Sequence, residues 1–235
     1  MRTRSLSLWA VLALLSCAGV WAKSGSAAES QTKGIDPALL AKAEAGNAET
    51  QYQLGSRYYS GDHVRRNYSQ AEFWFRKGAE QGDPDSEFML GGLYHFGQGV
   101  PQDSGQAFAW IMKAAEQGHG DAEFFIATCY GEGWGVAKDN AQSMVWLRKG
   151  AAQGHFNSQY FLGRAYAFGF LGVPTDYAEA YFWLDLAASE EVTRREQKKA
   201  LKDRHVAASH LTPTELASLQ ERARKWFEDH PAKPE

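Results

Sequence analysis

Cysteine is scarce in this chain, whose 235 residues include only Cys17 and Cys129. Two thiols cannot build a disulfide framework, so packing must hold the fold together. We interpret Cys129 as a small packing residue, because a redox role would need a second thiol beside it. Excess charge is also lacking, since 25 basic and 28 acidic residues give a net charge of −3. With this balance, the overall electrostatic field of the protein does not favour binding of nucleic acid.

Motifs for metal binding and catalysis are missing as well. The seven histidines are scattered along the chain, at His63, His95, His119, His155, His205, His210 and His230. Neither His-Glu-x-x-His nor a paired cysteine motif occurs. Ser30 and Lys33 have the Ser-x-x-Lys spacing of penicillin-interacting enzymes, but no Lys-Thr-Gly accompanies them. The sequence therefore predicts a protein that is not an enzyme and that holds no metal or cofactor.

The first apolar run extends from Leu6 to Leu15 and is shorter than the ~20 residues of a transmembrane helix. Arg2 and Arg4 precede it, and small residues follow it. This order is typical of a secretory signal. We therefore expect an exported protein of the periplasm, either soluble or tethered to the outer membrane.

Two cleavage sites fit this signal. Leu14-Leu15-Ser16-Cys17 is similar to a bacterial lipobox, which would end the signal at residue 16 and place a lipid on Cys17. Val20-Trp21-Ala22 fits ordinary signal peptidase, which would end the signal at residue 22. Leu15 is larger than the residue usual at that place, which weakens the lipid interpretation. Residues 23–34, rich in Ser, Gly and Ala, would form a flexible tether.

The middle of the chain repeats itself every 36 residues, with one extra residue in the loop 169–172. Recurrence at a fixed interval of this size indicates stacked supersecondary units. We predict that the recurring apolar residues form the repeat core; they are Leu54, Tyr58, Trp74, Leu90, Tyr94, Trp110, Tyr130, Trp146, Leu162, Tyr166 and Trp183.

Each unit is predicted to contain two helices joined by a glycine-rich loop. The second helix of each unit begins at a residue suited to cap it, namely Asn67, Asp103, Asp139 or Asp176. A single helical hairpin cannot bury both of its faces, so neighbouring hairpins must stack. The fold class is therefore all-α, a solenoid of four helix-turn-helix repeats over residues 47–189.

The two ends of the repeat region are predicted to be capped. Asp36-Pro37 begins a capping helix within residues 35–46. The periodicity stops after residue 189, and residues 190–230 contain two further helices. These begin with capping boxes at Thr193 and Thr212. Residues 231–235 form a tail.

A known family shares this pattern. In the second unit its marks are Leu90-Gly91, Tyr94, Gly97-Gln98-Gly99-Val100, Asp103, Ala107, Trp110, Lys113-Ala114-Ala115 and Gln117-Gly118. With these residues the chain resembles the Sel-one-like repeat proteins, relatives of tetratricopeptide repeats. The resemblance implies a right-handed superhelix that serves as an adaptor. The third unit departs from the pattern, with Ala127 in place of Gly and Ser143 in place of Ala.

The first helices of related superhelices line a concave surface that usually binds partners. Aromatic residues that recur there, such as Phe88 and Phe124, are interpreted as packing residues. The irregular positions of this face are the predicted partner-binding residues: Tyr59, His95, Thr128, Glu132 and Arg164.

These observations predict a non-catalytic adaptor or scaffold of the bacterial cell envelope that binds another envelope protein. The alternative is a module that binds peptidoglycan or another polysaccharide through aromatic platforms. A third interpretation is a cell-wall or β-lactam hydrolase whose site the sequence does not reveal. Membrane contact is expected only through a lipid on Cys17. The basic run between Arg194 and Arg204 is interpreted as a solvated outer face.

Overall fold

The computed structural model describes residues 34–189 and 193–230, which contain eleven α-helices and no strand. The helices are α1 (Pro37–Glu44), α2 (Ala48–Ser60), α3 (Tyr68–Ala79), α4 (Pro84–Phe96), α5 (Ser104–Glu116), α6 (Gly120–Glu132), α7 (Asn140–Ala152), α8 (Phe156–Phe168), α9 (Tyr177–Ser189), α10 (Arg194–Ala208) and α11 (Pro213–Asp229). The predicted signal, Cys17, the tether before residue 34, the Ser30–Lys33 pair and the tail lie outside the described residues. None of the described helices has the length and apolar character needed to cross a membrane.

Helices α2 to α9 form four hairpins, each of which packs against the next. Helix α1 covers the first hairpin, whereas α10 and α11 cover α9 at the other end. The predicted all-α solenoid with capping helices at both ends is thus confirmed.

The helix ends follow from local residue choice. Side-chain oxygens of Asn67, Asp103 and Asp139 accept backbone N–H groups at 3.0–3.2 Å, so each caps the helix that follows it. Thr193 and Thr212 complete capping boxes with the Glu three residues later. Each first helix of a unit ends at a glycine in the left-handed region, as Gly61 does with φ of +82°.

In most units the two helices pack closely because a glycine of the first helix contacts a large side chain of the second helix. A Cβ on Gly55, Gly91 or Gly163 would lie 2.4–2.6 Å from the nearest side-chain atom of Phe75, Ile111 or Leu184, respectively. The third unit has Ala127 at this position, and the Ser143 hydroxyl donates a hydrogen bond to the Ala127 carbonyl at 2.7 Å. The third hairpin thus has this polar contact in addition to the apolar cluster that Ala127 forms with Met144 and Leu147.

The predicted core residues fall into two groups by burial. Leu54, Tyr58, Trp74, Leu90 and Leu162 are buried. Six others are half-buried and pack against the core from its edges: Tyr94, Trp110, Tyr130, Trp146, Tyr166 and Trp183. Trp146 contacts two successive core clusters, which links neighbouring hairpins.

Candidate functional site

The predicted binding residues occupy different places along the first-helix face. The Tyr59 ring packs on the rings of Tyr68 and Phe75, at centroid distances of 5.5 and 6.5 Å, and is half-buried inside the first unit. The His95 ring contacts Phe125 and Trp134 of the third unit, at 5.1 and 5.4 Å. Tyr59 and His95 therefore take part in packing within and between units.

Thr128 and Glu132 lie together at a small apolar cavity of about 120 Å³. The cavity lies between α6, α7, α8 and the loop after α8. Its lining, here named the apolar cavity, is Phe124, Ala127, Thr128, Gly131, Glu132, Ser143, Leu147, Phe161, Phe170 and Leu171. Both departures of the third unit from the repeat pattern, Ala127 and Ser143, belong to this lining.

Arg164 lies in the neighbouring cavity, which has a volume of about 380 Å³ and is formed by α8 and α10. Its lining, here named the basic cavity, is Phe156, Asn157, Tyr160, Phe161, Arg164, Glu196, Lys199, Lys202 and Asp203. Phe161 lines both cavities, so they adjoin. We name the two together the C-terminal groove. The structure thus brings three of the five predicted residues, Thr128, Glu132 and Arg164, into one groove.

The charges of the basic cavity are only partly compensated. Arg164 Nε lies 3.3 Å from Asp203 Oδ2, and the Tyr160 hydroxyl donates a hydrogen bond to the same oxygen at 3.0 Å. Burial, together with this bond to Asp203, raises the pKa of Tyr160, so its phenol remains a donor at neutral pH. Lys199 and Lys202 form no ion pair within residues 34–189 and 193–230.

Two histidines fix successive first helices to one another. His119 Nε2 lies 3.2 Å from Asp85, and His155 Nε2 lies 2.9 Å from Asp121, in each case across a unit boundary. The bond to His155 is the main cause of the lowered pKa of Asp121. His119 and His155 are the N-cap residues that precede α6 and α8, in agreement with their equivalent positions in the sequence. Their pairing with acids 34 residues earlier is not evident from the sequence.

The described part of the chain offers little support for a metal site or a reactive thiol. No group of three or more His, Cys, Asp or Glu side chains among these residues could hold a metal ion. Cys129 is buried, and burial raises the pKa of its thiol to about 12. The thiol therefore stays protonated at neutral pH, and thiolate reactivity is not expected.

A third cavity, of about 540 Å³, lies between α9 and α11. It is lined by Phe182, Trp183, Ser218, Glu221, Arg222, Lys225, Trp226 and Asp229. Arg222 lies 3.7 Å above the Phe182 ring and pairs with Glu179 at 2.6 Å. We name it the tryptophan cavity. Its residues come from the last unit and the cap, so the repeat pattern does not predict it.

Lys199, Lys202 and Phe161 are among the groove residues that the sequence does not predict. The two lysines belong to the basic run that the sequence predicts to be a solvated face, and both side chains are exposed. Their spacing of three places both on one side of α10, but the sequence does not show that this side turns toward α8.

Several solved structures are similar to this chain. It is 34% identical to a Sel1 repeat protein from Oxalobacter formigenes, with a TM-score of 0.61, over 70% of this chain and 47% of that one. It is 28% identical to c5321, a protective antigen of uropathogenic Escherichia coli strains displaying an SLR fold, with a TM-score of 0.50 over 82% of this chain and 48% of that one. The chain thus spans about half the length of these two proteins.

The immunity protein Pa5087 from Pseudomonas aeruginosa is similar in fold alone, with 17% identity and a TM-score of 0.50 over 97% of this chain and 84% of that one. No curated protein matches the chain.

The repeats themselves identify the family. The model of the Sel1 repeat matches residues 48–83, 84–119, 120–155 and 157–191, which together make up more than half of the chain. These four matches follow the four hairpins and confirm the resemblance found in the sequence. The chain belongs to the Sel1 repeat family.

Proposed function

We propose that this protein is a non-catalytic interaction scaffold that binds a protein partner in its C-terminal groove. The observation that carries the proposal is the junction of the apolar cavity with the basic cavity at Phe161. Aromatic residues and arginine are enriched among the residues that dominate binding energy in interfaces. Here Phe124, Phe161 and Arg164 lie on adjacent first helices, the face that repeat superhelices commonly use.

The proposed place of action is the bacterial cell envelope. The signal-like order of Arg2, the apolar run from Leu6 to Leu15 and the small residues after it supports export. The partner would then be another envelope protein. The mature protein is either soluble in the periplasm or held at the outer membrane by a lipid on Cys17.

The carboxylates of the groove support a non-catalytic role. Most glycoside hydrolases need two carboxyl groups, one on each side of the glycosidic bond that is cleaved. Asp203 accepts from Tyr160 and contacts Arg164, and Glu196 is bonded to Thr193 in a capping box. Glu132 is the one carboxylate of the groove that these structural bonds leave available.

The tryptophan cavity supports a second candidate function, the binding of peptidoglycan or another polysaccharide. Trp183 and Trp226 line it, the latter with one face stacked on His230, and Glu221, Lys225 and Asp229 offer polar groups around them. Sugar rings bind to such combinations of aromatic faces and hydrogen-bonding side chains. This cavity and the C-terminal groove share no lining residue, so the two functions can be tested separately.

Affinity capture from native cells tests the proposed function. The tagged protein is compared with the double variant Glu132→Ala/Arg164→Ala and with Ser56→Ala/Ser60→Ala, which changes the equivalent positions of the first unit. We expect mass spectrometry to find an envelope protein with the wild type and the first-unit variant, and to find it depleted with the groove variant. Equal recovery with all three proteins would contradict the proposal. The mature N-terminus is read in the same experiment.

Retention on isolated peptidoglycan tests the second candidate. Loss of retention with Trp226→Ala, together with unchanged retention of the groove variant, would favour polysaccharide binding. No retention of the wild type would exclude it.

A further inference from the structure

The capping helix α10 is strongly basic in a mildly acidic protein. Its fifteen residues include six Lys or Arg and two Asp or Glu. The whole chain has a net charge of −3. A local excess of one sign on one helix steers binding of a partner with the opposite sign.

Only part of this charge faces the C-terminal groove. Lys199 and Lys202 line the basic cavity together with Arg164. Asp203, which lies 3.3 Å from Arg164, and Glu196 also line this cavity, so its three cations face two carboxylates and one positive charge is in excess. Lys199 and Lys202 are exposed and form no ion pair within the described residues, so both can still meet carboxylates of a bound chain.

The apolar cavity beside them is sized for one side chain. Its volume of about 120 Å³ is well below the ~300–1,000 Å³ typical of small-molecule sites. Phe124, Leu147 and Phe161 give it apolar walls, against which a leucine-sized side chain gains free energy by leaving water.

We propose that the C-terminal groove binds an acidic peptide segment of the partner. One Leu, Ile, Met or Phe side chain of the segment enters the apolar cavity, and neighbouring Asp or Glu side chains pair with Lys199 and Lys202. This inference rests on the proposed function and names the chemistry of its ligand. A peptide fits better than a membrane surface, because the lysines line a cavity between two helices and a second, apolar cavity adjoins it.

Peptide selection with matched variants tests the inference. A display library of random twelve-residue peptides is selected on the purified protein, and an enriched peptide is synthesised for fluorescence anisotropy. We expect enriched peptides to be acidic, with an apolar residue next to Asp or Glu. Lys199→Glu/Lys202→Glu should weaken binding by about ten-fold or more. Arg194→Glu/Lys198→Glu makes the same change of charge on the same helix outside the cavity lining, and it should bind like the wild type.

The apolar half of the groove has its own control. Thr128→Met should fill the cavity and weaken binding, whereas Ser56→Met at the equivalent position of the first unit should not. Circular dichroism melts of all variants check that each one is folded.

Three outcomes would overturn the inference. They are enrichment of basic or uncharged peptides, no enrichment at all, and equal loss of affinity in the two charge-reversal variants. Binding to phosphatidylglycerol vesicles that falls equally in both of these variants, without peptide binding, would assign the basic helix to a membrane instead. If cell capture still depends on Glu132 and Arg164 while the enriched peptides are not acidic, only the ligand chemistry fails and the proposed function stands.

Discussion

The second and third units share their length and pattern but differ where their two helices meet. In the second unit, the backbone at Gly91 lies so near Ile111 that an added Cβ would be 2.4 Å from its side chain. In the third unit, Ala127 and Ser143 occupy the corresponding helix contact, and a cavity with Leu147 in its wall opens beside them. The same fold thus has a closed contact in one unit and a cavity in the next.

This difference shows where a repeat protein has room for a binding site. Positions that make the hairpins stack must recur, because each unit solves the same packing problem. The positions that depart from the repeat without breaking the stack can provide binding specificity. Ala127, Ser143, Thr128 and Arg164 are such departures, and all of them line the C-terminal groove.

The largest expected difference between the units concerns their equivalent buried residues, Ile111 and Leu147. Ile111→Ala removes a fully buried side chain from a closed contact and should lower the free energy of unfolding by about 3–5 kcal/mol. Leu147→Ala widens an existing cavity and should cost nearer 2 kcal/mol. Urea unfolding of the two variants measures both values. A greater loss for Leu147→Ala would show that the third unit is packed as tightly as the second.

Two adjacent glycines in the second unit differ in how closely they approach neighbouring side chains. Gly91→Ala should lower stability by about 1–3 kcal/mol, because its Cβ would meet Ile111 and the Ala107 carbonyl. Gly92→Ala has no atom within 4 Å of its Cβ and should raise stability by about 0.4–1 kcal/mol. Thermal melts distinguish the two. Equal melting temperatures would mean that the close contact at Gly91 contributes little.

A further difference between the units concerns a buried glutamate that both of them have. Glu87 and Glu123 each accept a hydrogen bond from a glutamine 30 residues later, but only Glu123 has Lys149 at 3.0 Å. Burial raises the pKa of Glu87 above its ordinary value of 4.5. The stability that its protonated form gives is therefore lost as the pH rises through the raised pKa, and ionised Glu87 is unfavourable at pH 7.

Glu87→Gln should accordingly raise the free energy of unfolding at pH 7, by less than about 1 kcal/mol, and this gain should vanish below about pH 4. Glu123→Gln should lower it by about 1–2 kcal/mol, because the variant loses the charged bond to Lys149. Urea midpoints across this pH range test both statements. Stabilisation by both substitutions would show that Lys149 does not compensate Glu123.

The sequence predicts the repeated part of this molecule well, because recurrence at equivalent positions marks the features that every unit needs. The caps at Asp103 and Asp139 are examples, and so is the buried position of Leu54. A feature that occurs only once in the chain cannot be predicted from recurrence. The side of α10 that carries Lys199 turns toward α8 through the packing of a single cap, and no other unit repeats that arrangement.

The predicted binding residues divide in the same way. Thr128, Glu132 and Arg164 differ from their equivalents in other units, and they lie in the groove. Tyr59 also differs from its equivalents, but its ring packs on Tyr68 and Phe75. Irregularity alone therefore cannot distinguish a binding residue from a local change in packing, because the sequence does not show which side chains pack inward.

Site-specific photo-crosslinking in native cells tests whether a partner binds at the third and fourth units. A benzophenone side chain is placed at position 128 or 132, and at the equivalent positions 56 and 60 of the first unit as controls. We expect protein adducts from positions 128 and 132 and few from 56 and 60. Adducts of equal strength from both units, or none from 128 and 132, would contradict the placement of the binding site in the C-terminal groove.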